Sequence, residues 1–524
     1  MNIKYLNTDI RKKIVRLAKN AGILLLIYLS IWLLEKNHLL RCSILDDLNF
    51  FKNFCNNGFW GSVFSGGYKF RPVSNGALWM AAEICQKNIY LYGYLNVFIN
   101  AIATFLVYIF INENSKSQWY GVVGALVYMT SRFSYYQITT QIGVMETVST
   151  ILFILIIRNL YIYMKDGDSK YYCYALISYG LCSMSHERYT IMFPILIYAW
   201  FVTEGQLKKQ TGRRKYGLLI GTICEFAIIM LIFKLMVADI LMGTGGQSVS
   251  STFSVTEMLK NVAKSVGYLL GVNGSASDIY LTMVAWSAYT VWIKGIVIAS
   301  IVCAGTIIIV GVLDILKNIK LQERKKQLCI MFYMKNNIKQ LCIMLFFILS
   351  IGAMVLISSA TIRVELRWMY APYTAVIALL IYTAQLETDR KKSIVKDILL
   401  IIYFVGMIFF NMFSRNFYSN LYYWGNYTIA NALTDSTYAR YGDDMYSKSW
   451  VIITDVQPNN AFEDLMKQYD VYDEYELQVQ VIASVNELEN IQNLENKEVL
   501  FWDKTINQFI NLTNVIKNKE ISGN

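Results

Sequence analysis

Charged side chains are scarce in this chain, because Asp, Glu, Lys and Arg make up only 16% of its 524 residues. A soluble globular protein carries about 25% charged residues, so the composition argues against a soluble protein. Only four prolines and two histidines are present, and none of the nine cysteines forms a CxxC pair or a Cys/His cluster with zinc spacing. The sequence therefore gives no indication of a structural zinc site.

Hydrophobic residues make up 55% of the chain, and the mean hydropathy is +0.37. Apolar runs of about 18 or more residues recur, and each can cross ~30 Å of hydrocarbon as a helix. We therefore predict an α-helical polytopic membrane protein with about eleven transmembrane helices. The predicted spans are residues 18–34, 89–111, 119–137, 143–163, 171–185, 189–203, 216–238, 284–313, 340–360, 368–386 and 395–413. No A-x-A-like cleavage site follows the first run, so we expect it to be retained as a span.

Lys and Arg are concentrated in four segments of the sequence. Six lie in the first twenty residues, five in LKKQTGRRK, seven in LKNIKLQERKKQLCIMFYMKNNIK and four in DRKKSIVK. With eleven spans, all four segments fall on one side, which the positive-inside rule makes cytoplasmic. We predict a cytoplasmic N-terminus (1–17) and a transmembrane region (18–414) with extracytoplasmic loops at about 35–88 and 239–283. Because topology accounts for the net charge of +11, and no binding motif accompanies it, nucleic acid is not an expected partner.

The segment after the last span differs in composition from the rest of the chain. WVIITD, YELQVQVIAS and KEVLFWD have the pattern of strands, whereas NNAFEDLMKQY, NELENIQNLEN and KTINQFINLTNVIKN have the pattern of helices. Residues 415–524 are therefore predicted to form a linker and a small extracytoplasmic α/β domain.

Two adjacent aspartates, Asp46 and Asp47, stand in the apolar segment SILDDLNFF of the predicted first outer loop. Adjacent carboxylates raise each other's pKa, which suits a general base or a cation site. A helix N-cap with a first-turn charge explains the same spacing equally well. On spacing alone both interpretations stay open.

Two further charged positions fall at predicted outer helix ends. Arg71, in KFRPVSNGALW, has the donor geometry to hold a phosphate, and an interfacial arginine bonded to lipid headgroups is the alternative. Glu146 begins the fourth span, beyond a turn that contains Arg132, Gln137 and Gln141. Its alternative role is stabilisation of the helix start.

The remaining outward charges form two short motifs. SMSHERYT contains His186, Glu187 and Arg188, where the histidine could relay protons or orient a phosphate, or be an interfacial residue that never titrates. In SSATIRVELRWMYAPY, Arg363 and Arg367 are four residues apart and share a face if the segment is helical. That pair could clamp a phosphate, or consist of two snorkelling side chains.

In this order the features resemble the GT-C superfamily of membrane glycosyltransferases, within it the protein mannosyltransferase and aminoarabinose transferase group. The resemblance rests on the acidic pair in LDDLNFF, the RP element in KFRPVSNGALW, the charged turn SHERYT, and ELRWMYAPY, which is similar to an RY-x-x-P element. Trp368 and Met369 interrupt the commoner Arg-Tyr pair. The resemblance covers about residues 18–415 and leaves out the tail.

The resemblance implies a GT-C-like fold and transfer of a sugar from a polyprenyl-phosphate carrier to an acceptor outside the cytoplasm. It implies that Asp46 or Asp47 is the base for the acceptor. Candidates for substrate and phosphate binding are Arg71, Glu146, His186, Glu187, Arg188, Arg363 and Arg367. Some members use a divalent cation and others do not, and Asp46, Asp47 and Glu146 have the oxygen ligands that such a cation prefers.

Three other classes compete with this interpretation. A flippase or secondary transporter of a lipid-linked or polysaccharide substrate predicts polar residues at mid-membrane depth and broken helices, whereas prolines are few and mid-span positions largely apolar. A membrane acyltransferase needs a nucleophile or a buried histidine in a span, and His186 is its candidate. A non-catalytic polymer-anchoring protein needs neither.

Overall fold

The computed structural model describes most of the chain, with gaps mainly in the predicted loops. The described residues are 3–37, 39, 50, 57–65, 69–85, 89–206, 212–237, 253–272, 286–324, 330–361, 364–386, 390–417, 432–454, 478–506 and 508–522. The helices are α1 (Ile3–Glu35), α2 (Pro72–Cys85), α3 (Ile89–Asn114), α4 (Gln118–Met129), α5 (Gly143–Asp166), α6 (Ser169–Ser185), α7 (Phe193–Gln206), α8 (Gly212–Met236), α9 (Val255–Leu270), α10 (Val291–Arg324), α11 (Ile330–Ser359), α12 (Tyr370–Ala384), α13 (Arg390–Phe417) and α14 (Thr513–Ser522). Short helical stretches occur at Tyr135–Thr139 and Tyr438–Tyr441.

Seven helices within the described residues are long and apolar enough to cross a membrane. Their candidate spans are Ile10–Glu35, Tyr90–Asn114, Gly143–Asp166, Tyr216–Met236, Val291–Ile319, Asn337–Ser359 and Ser393–Phe413. The architecture is that of a helical multi-pass membrane protein. Four of the eleven predicted spans correspond to the shorter helices α4, α6, α7 and α12, so the number eleven is unconfirmed. At ~1.5 Å per residue a helix of fewer than 18 residues is shorter than the hydrocarbon core.

The short helices end or begin at 3₁₀ turns that break the apolar runs. These turns are Arg132–Ser134, Glu187–Met192 and Leu366–Met369. Prolines mark the helix starts: Pro72 begins α2, Pro194 is the second residue of α7 and Pro372 is the third of α12. Proline lacks the N–H that a first turn leaves unbonded, so it is tolerated there. Three of the four prolines therefore stand at helix starts next to the charged turns.

Helix α5 lies at the centre of the bundle and α1 at its edge. Of the most apolar window of each helix, 72% is buried in α5 and only 11% in α1. Helix α5 packs against α2, α3, α6, α7 and α12. Charges at the first turn of α5 are therefore surrounded by protein, which explains how Glu146 can be largely buried.

The two ends of the bundle differ in their contacts. At one end Arg16 of α1 contacts Glu113 of α3 (3.5 Å), and the Lys116 amide donates to the Gln385 side chain (3.0 Å). Lys339 of α11 donates to the carbonyl oxygen of Lys165 at the end of α5 (2.5 Å). Several basic segments thus meet at this end, and the charged turns described below lie at the other. Which end faces the cytoplasm stays a prediction.

The C-terminal segment contains a four-stranded sheet of order β2-β1-β3-β4, with β1 (Ser449–Ile453), β2 (Val479–Ile482), β3 (Lys497–Asp503) and β4 (Gln508–Asn511). Strand β1 is parallel to β2 and β3, and β4 is antiparallel to β3. The three predicted strands are confirmed. Two helix predictions are wrong in part: NELENIQNLEN forms two short 3₁₀ turns, and KTINQFINLTNVIKN contributes β4 before α14 begins. The predicted helix NNAFEDLMKQY lies outside the described residues.

Candidate functional site

Three buried serines bring α2, α5 and α6 close together. The Ser74 hydroxyl lies 2.6 Å from that of Ser185, which lies 2.6 Å from that of Ser149. Ser74 also donates to the Ser185 carbonyl oxygen (2.5 Å). Small hydroxyl side chains let membrane helices approach closely while they hydrogen-bond across the interface. The contact fixes three helix ends, and a charged residue of the site (Arg71, Glu146 or Arg188) lies three residues from each serine.

Arg71 and Glu187 form a bidentate ion pair at this junction. Arg71 Nε donates to Glu187 Oε2 (2.7 Å) and Arg71 Nη2 to Glu187 Oε1 (2.6 Å). Their side chains are 15% and 28% exposed, respectively. The two parallel bonds fix both side chains, as is usual for an arginine–carboxylate fork. Arg71 is therefore already occupied by a carboxylate.

Arg188 continues the network towards α5. Its Nη2 donates to Glu146 Oε1 (2.9 Å) and lies 2.6 Å from His186 Nε2. Its guanidinium also stacks 5.0 Å from the Trp368 ring centroid. The tryptophan that interrupts the Arg-Tyr pair of the resemblance therefore covers the second ion pair of the site. Such a cation–π contact adds to the electrostatic stabilisation of the guanidinium.

Arg367 joins the same cluster from the turn between α11 and α12. Its Nε is 2.5 Å from Glu365 Oε2, and its guanidinium lies 3.7 Å from the Tyr136 ring centroid. The described part of this segment is extended at Glu365 and then 3₁₀, so it is not the helix that the expected shared face of Arg363 and Arg367 requires. Glu365 and Arg367 pair instead because the backbone is irregular. Arg363 itself lies outside the described residues.

Lys69, in KFRPVSNGALW, is the cation of this cluster to which the sequence analysis assigns no role. It is exposed at the rim, and no carboxylate of the described residues pairs with it within 4 Å, whereas Arg71, Arg188 and Arg367 each have such a partner. The positive charge of Arg71 beside it lowers the pKa of Lys69 to about 8. Its position two residues before the RP element was the available signal.

Protonation at the charged turn follows from these neighbours. Burial would raise the pKa of Glu187, but the Arg71 guanidinium outweighs that effect and lowers it to about 2. Burial, together with the charges of Arg188 and Arg71, holds the pKa of His186 well below its ordinary value. At neutral pH Glu187 is therefore ionised and His186 is neutral, which makes the histidine a hydrogen-bonding partner rather than a positive charge.

Acid should lower the stability of the folded protein because it protonates Glu187. Its pKa is about 2 in the folded protein against an ordinary value of 4.5, so the unfolded chain binds the proton more readily. We expect this contribution to stability to be complete above about pH 4.5 and to be lost as pH falls towards 2. Thermal unfolding of purified protein between pH 6 and 3 measures it. The Glu187→Gln variant should lose stability less steeply over this range, and an identical pH slope would contradict the prediction.

The aspartate pair and the metal hypothesis lie beyond this geometry. Asp46 and Asp47 are outside the described residues, so their roles as base or cation ligands stay predictions. Among the residues that are described, no group of three or more His, Cys, Asp and Glu side chains could hold a metal ion. Glu146 is engaged by Arg188 rather than being open to a cation.

Arg132 lies apart from the network although it belongs to the same predicted turn region as Glu146. It is 1% exposed, and its Nη2 donates to the Tyr268 carbonyl oxygen (2.6 Å) at the end of α9. The Phe410 ring lies 4.9 Å from its guanidinium carbon. Because free carbonyl groups at a helix C-terminus attract cations, Arg132 acts here as a cap of α9.

The structure thus brings together residues from four of the five charged motifs, which are Lys69, Arg71, Glu146, His186, Glu187, Arg188, Glu365 and Arg367. Four cations face three carboxylates, so the described cluster carries a net positive charge. Such a cluster at a bundle end can attract an anion. No protein-family model matches the sequence, and no curated protein matches it.

Proposed function

We propose that the protein is a membrane glycosyltransferase that moves a sugar from a polyprenyl-phosphate carrier to an extracytoplasmic acceptor. The acceptor is a cell-surface glycan, a lipid or a protein. The observation that carries the proposal is the net positive cluster of described residues at one end of a membrane-spanning bundle, in which no described carboxylate lies within 4 Å of Lys69 at the rim. A lipid phosphate reaches such a position from the bilayer.

The roles of the charges follow from the chemistry of transfer. The departing phosphate needs positive charge where its own charge develops. Arg71, Arg188 and Arg367 are neutralised by carboxylates, so they hold the turns in place more than they supply free charge. Lys69 supplies that charge. A base beside the acceptor hydroxyl completes the reaction, and we assign this role to Asp46 or Asp47.

Replacement of Lys69 by methionine should weaken binding of a polyprenyl phosphate by roughly 10- to 100-fold, since a charge-assisted hydrogen bond contributes ~1.5–3 kcal/mol. In the unaltered protein, affinity should fall as pH rises through about 8, where Lys69 loses its proton. The Lys69→Arg variant should retain binding up to pH 9. Tryptophan fluorescence titration of purified protein with a short-chain polyprenyl phosphate measures both effects.

The matched control is Lys260→Met on α9, an exposed lysine that pairs with Glu257 and not with a carboxylate of the cluster, and this variant should bind normally. Equal affinity in Lys69→Met and the unaltered protein would remove Lys69 from the site. Product analysis then separates the two function classes. A flippase or transporter binds the same carrier and moves it between leaflets without forming a new glycosidic bond, whereas a glycosyltransferase releases unglycosylated polyprenyl phosphate.

A further inference from the structure

Helix α9 has three different faces around its axis. At 100° per residue, the apolar side chains Val255, Leu259, Val266 and Leu270 fall within about 60° of one another. Glu257, Lys260 and Lys264 occupy a band about 140° away. The residues that pack against the protein lie in the remaining sector of the helix.

The packed sector of α9 is held by polar contacts. Asn261 donates to the carbonyl oxygens of Ser359 (3.4 Å) and Thr361 (3.0 Å), and the Ser265 hydroxyl lies 3.2 Å from that of Ser359. Ser359 is the last residue of the candidate span in α11. Helix α9 is therefore attached where a membrane-spanning helix ends, beside the turn that carries Arg367.

The apolar sector of α9 is uncovered by the described part of the chain. Val255 and Leu259 are each 59% exposed, Val266 is 42% exposed and Leu270 is 38% exposed. A stripe of this kind on a helix with a charged band on its other side is the pattern of a helix that lies in a membrane–water interface. Its sixteen residues span about 24 Å, too short to cross the hydrocarbon core.

Both ends of α9 are closed locally, so the helix is a complete element. The Ser254 side chain accepts from the Glu257 amide, and Gly271 ends the helix with a φ of 91°. Arg132 donates to the Tyr268 carbonyl oxygen in the last turn. These contacts fix the rotation of the helix about its axis, and with it the direction of the apolar stripe.

We propose that α9 lies in the membrane–water interface at the end of the bundle that holds the charged cluster. Its Val255, Leu259, Val266 and Leu270 stripe contacts lipid chains, while Glu257, Lys260 and Lys264 face water. The partner of this surface is the bilayer itself. The attachment to Ser359 and Thr361 then places the Glu365–Arg367 turn at the depth of the lipid headgroups.

Photochemical cross-linking in proteoliposomes tests this assignment. A benzoylphenylalanine replaces Leu259 in one variant and Lys260 in the other, two adjacent positions with similar exposure (59% and 62%). We expect several-fold more phospholipid adduct from position 259, because only that side chain faces acyl chains. A second pair, at Val266 and Glu257, repeats the comparison, so the test survives the failure of one variant to fold.

Two outcomes would overturn the proposal. Equal adduct yields from the two faces would mean that the helix stands in water. Cross-links from positions 259 and 266 to another peptide of the chain, without lipid adducts, would mean that protein covers the stripe. Thermal unfolding of each variant confirms that only folded protein is compared.

Discussion

The Arg188→Met variant should lose about 3–5 kcal/mol of stability, because it leaves the Glu146 carboxylate buried without its cation. The side chains of Arg188 and Glu146 are only 8% and 12% exposed, and they meet at 2.9 Å. Methionine has much of the volume of arginine and can still pack against Trp368. The loss of stability therefore comes from the missing charge and not from a cavity. Equilibrium unfolding in detergent, followed by tryptophan fluorescence, measures the effect.

The double variant Arg188→Met with Glu146→Gln is the decisive control. Removing both charges of a buried pair often changes the free energy of unfolding little, since no buried charge is then left without a counter-charge. We expect the double variant to regain most of the lost stability. A double variant as unstable as Arg188→Met alone would mean that Arg188 acts through packing against Trp368 or through His186, and that the ion pair contributes little.

Replacing both Asp46 and Asp47 by asparagine should reduce sugar transfer by roughly 100- to 10,000-fold, the usual contribution of a general base. Asparagine keeps the size of the side chain and the capacity to cap a helix, so the change isolates the charge. Transfer is measured as polyprenyl phosphate released from the lipid-linked sugar. Binding of the carrier should be unchanged, because Lys69 supplies the charge for the phosphate.

The single variants distinguish the two aspartates. The Asp46→Asn and Asp47→Asn proteins should differ in activity if one residue is the base and the other holds it in position. Full transfer by both single variants and by the double variant would reject a catalytic role for the pair. Equal thermal stability of all three proteins excludes loss of a helix cap as the cause.

Part of the site was predictable from the sequence because charges are rare in an apolar chain. Arg71, Glu146, the His186–Arg188 triplet and Arg367 were all recognisable as interruptions at the ends of apolar runs, and the structure brings them together. Their pairing was not predictable. Arg71 and Glu187 are 116 residues apart, and which carboxylate meets which guanidinium depends on how the helices rotate against each other.

The breaks in the apolar runs were harder to predict. Helices α6 and α7 were recognised as separate helices. Because hydropathy is averaged over a window, however, the spans predicted for α4 and α12 were longer than the helices themselves. In the tail, Glu- and Asn-rich segments have helical periodicity, yet Gln508–Asn511 pairs with the neighbouring strand β3. Tertiary pairing there overrides local preference.

The sequence distance between Arg71 and Glu187 also sets how long Arg71 waits for its partner during synthesis. At ~5–20 residues per second, the 116 residues between them take on the order of 6–20 s to be synthesised. During that interval the guanidinium must be solvated by water or lipid headgroups, since its carboxylate does not yet exist. The Arg71–Glu187 pair therefore forms only after residue 187 has been synthesised, and the cluster, which also contains Glu365 and Arg367, is completed later still.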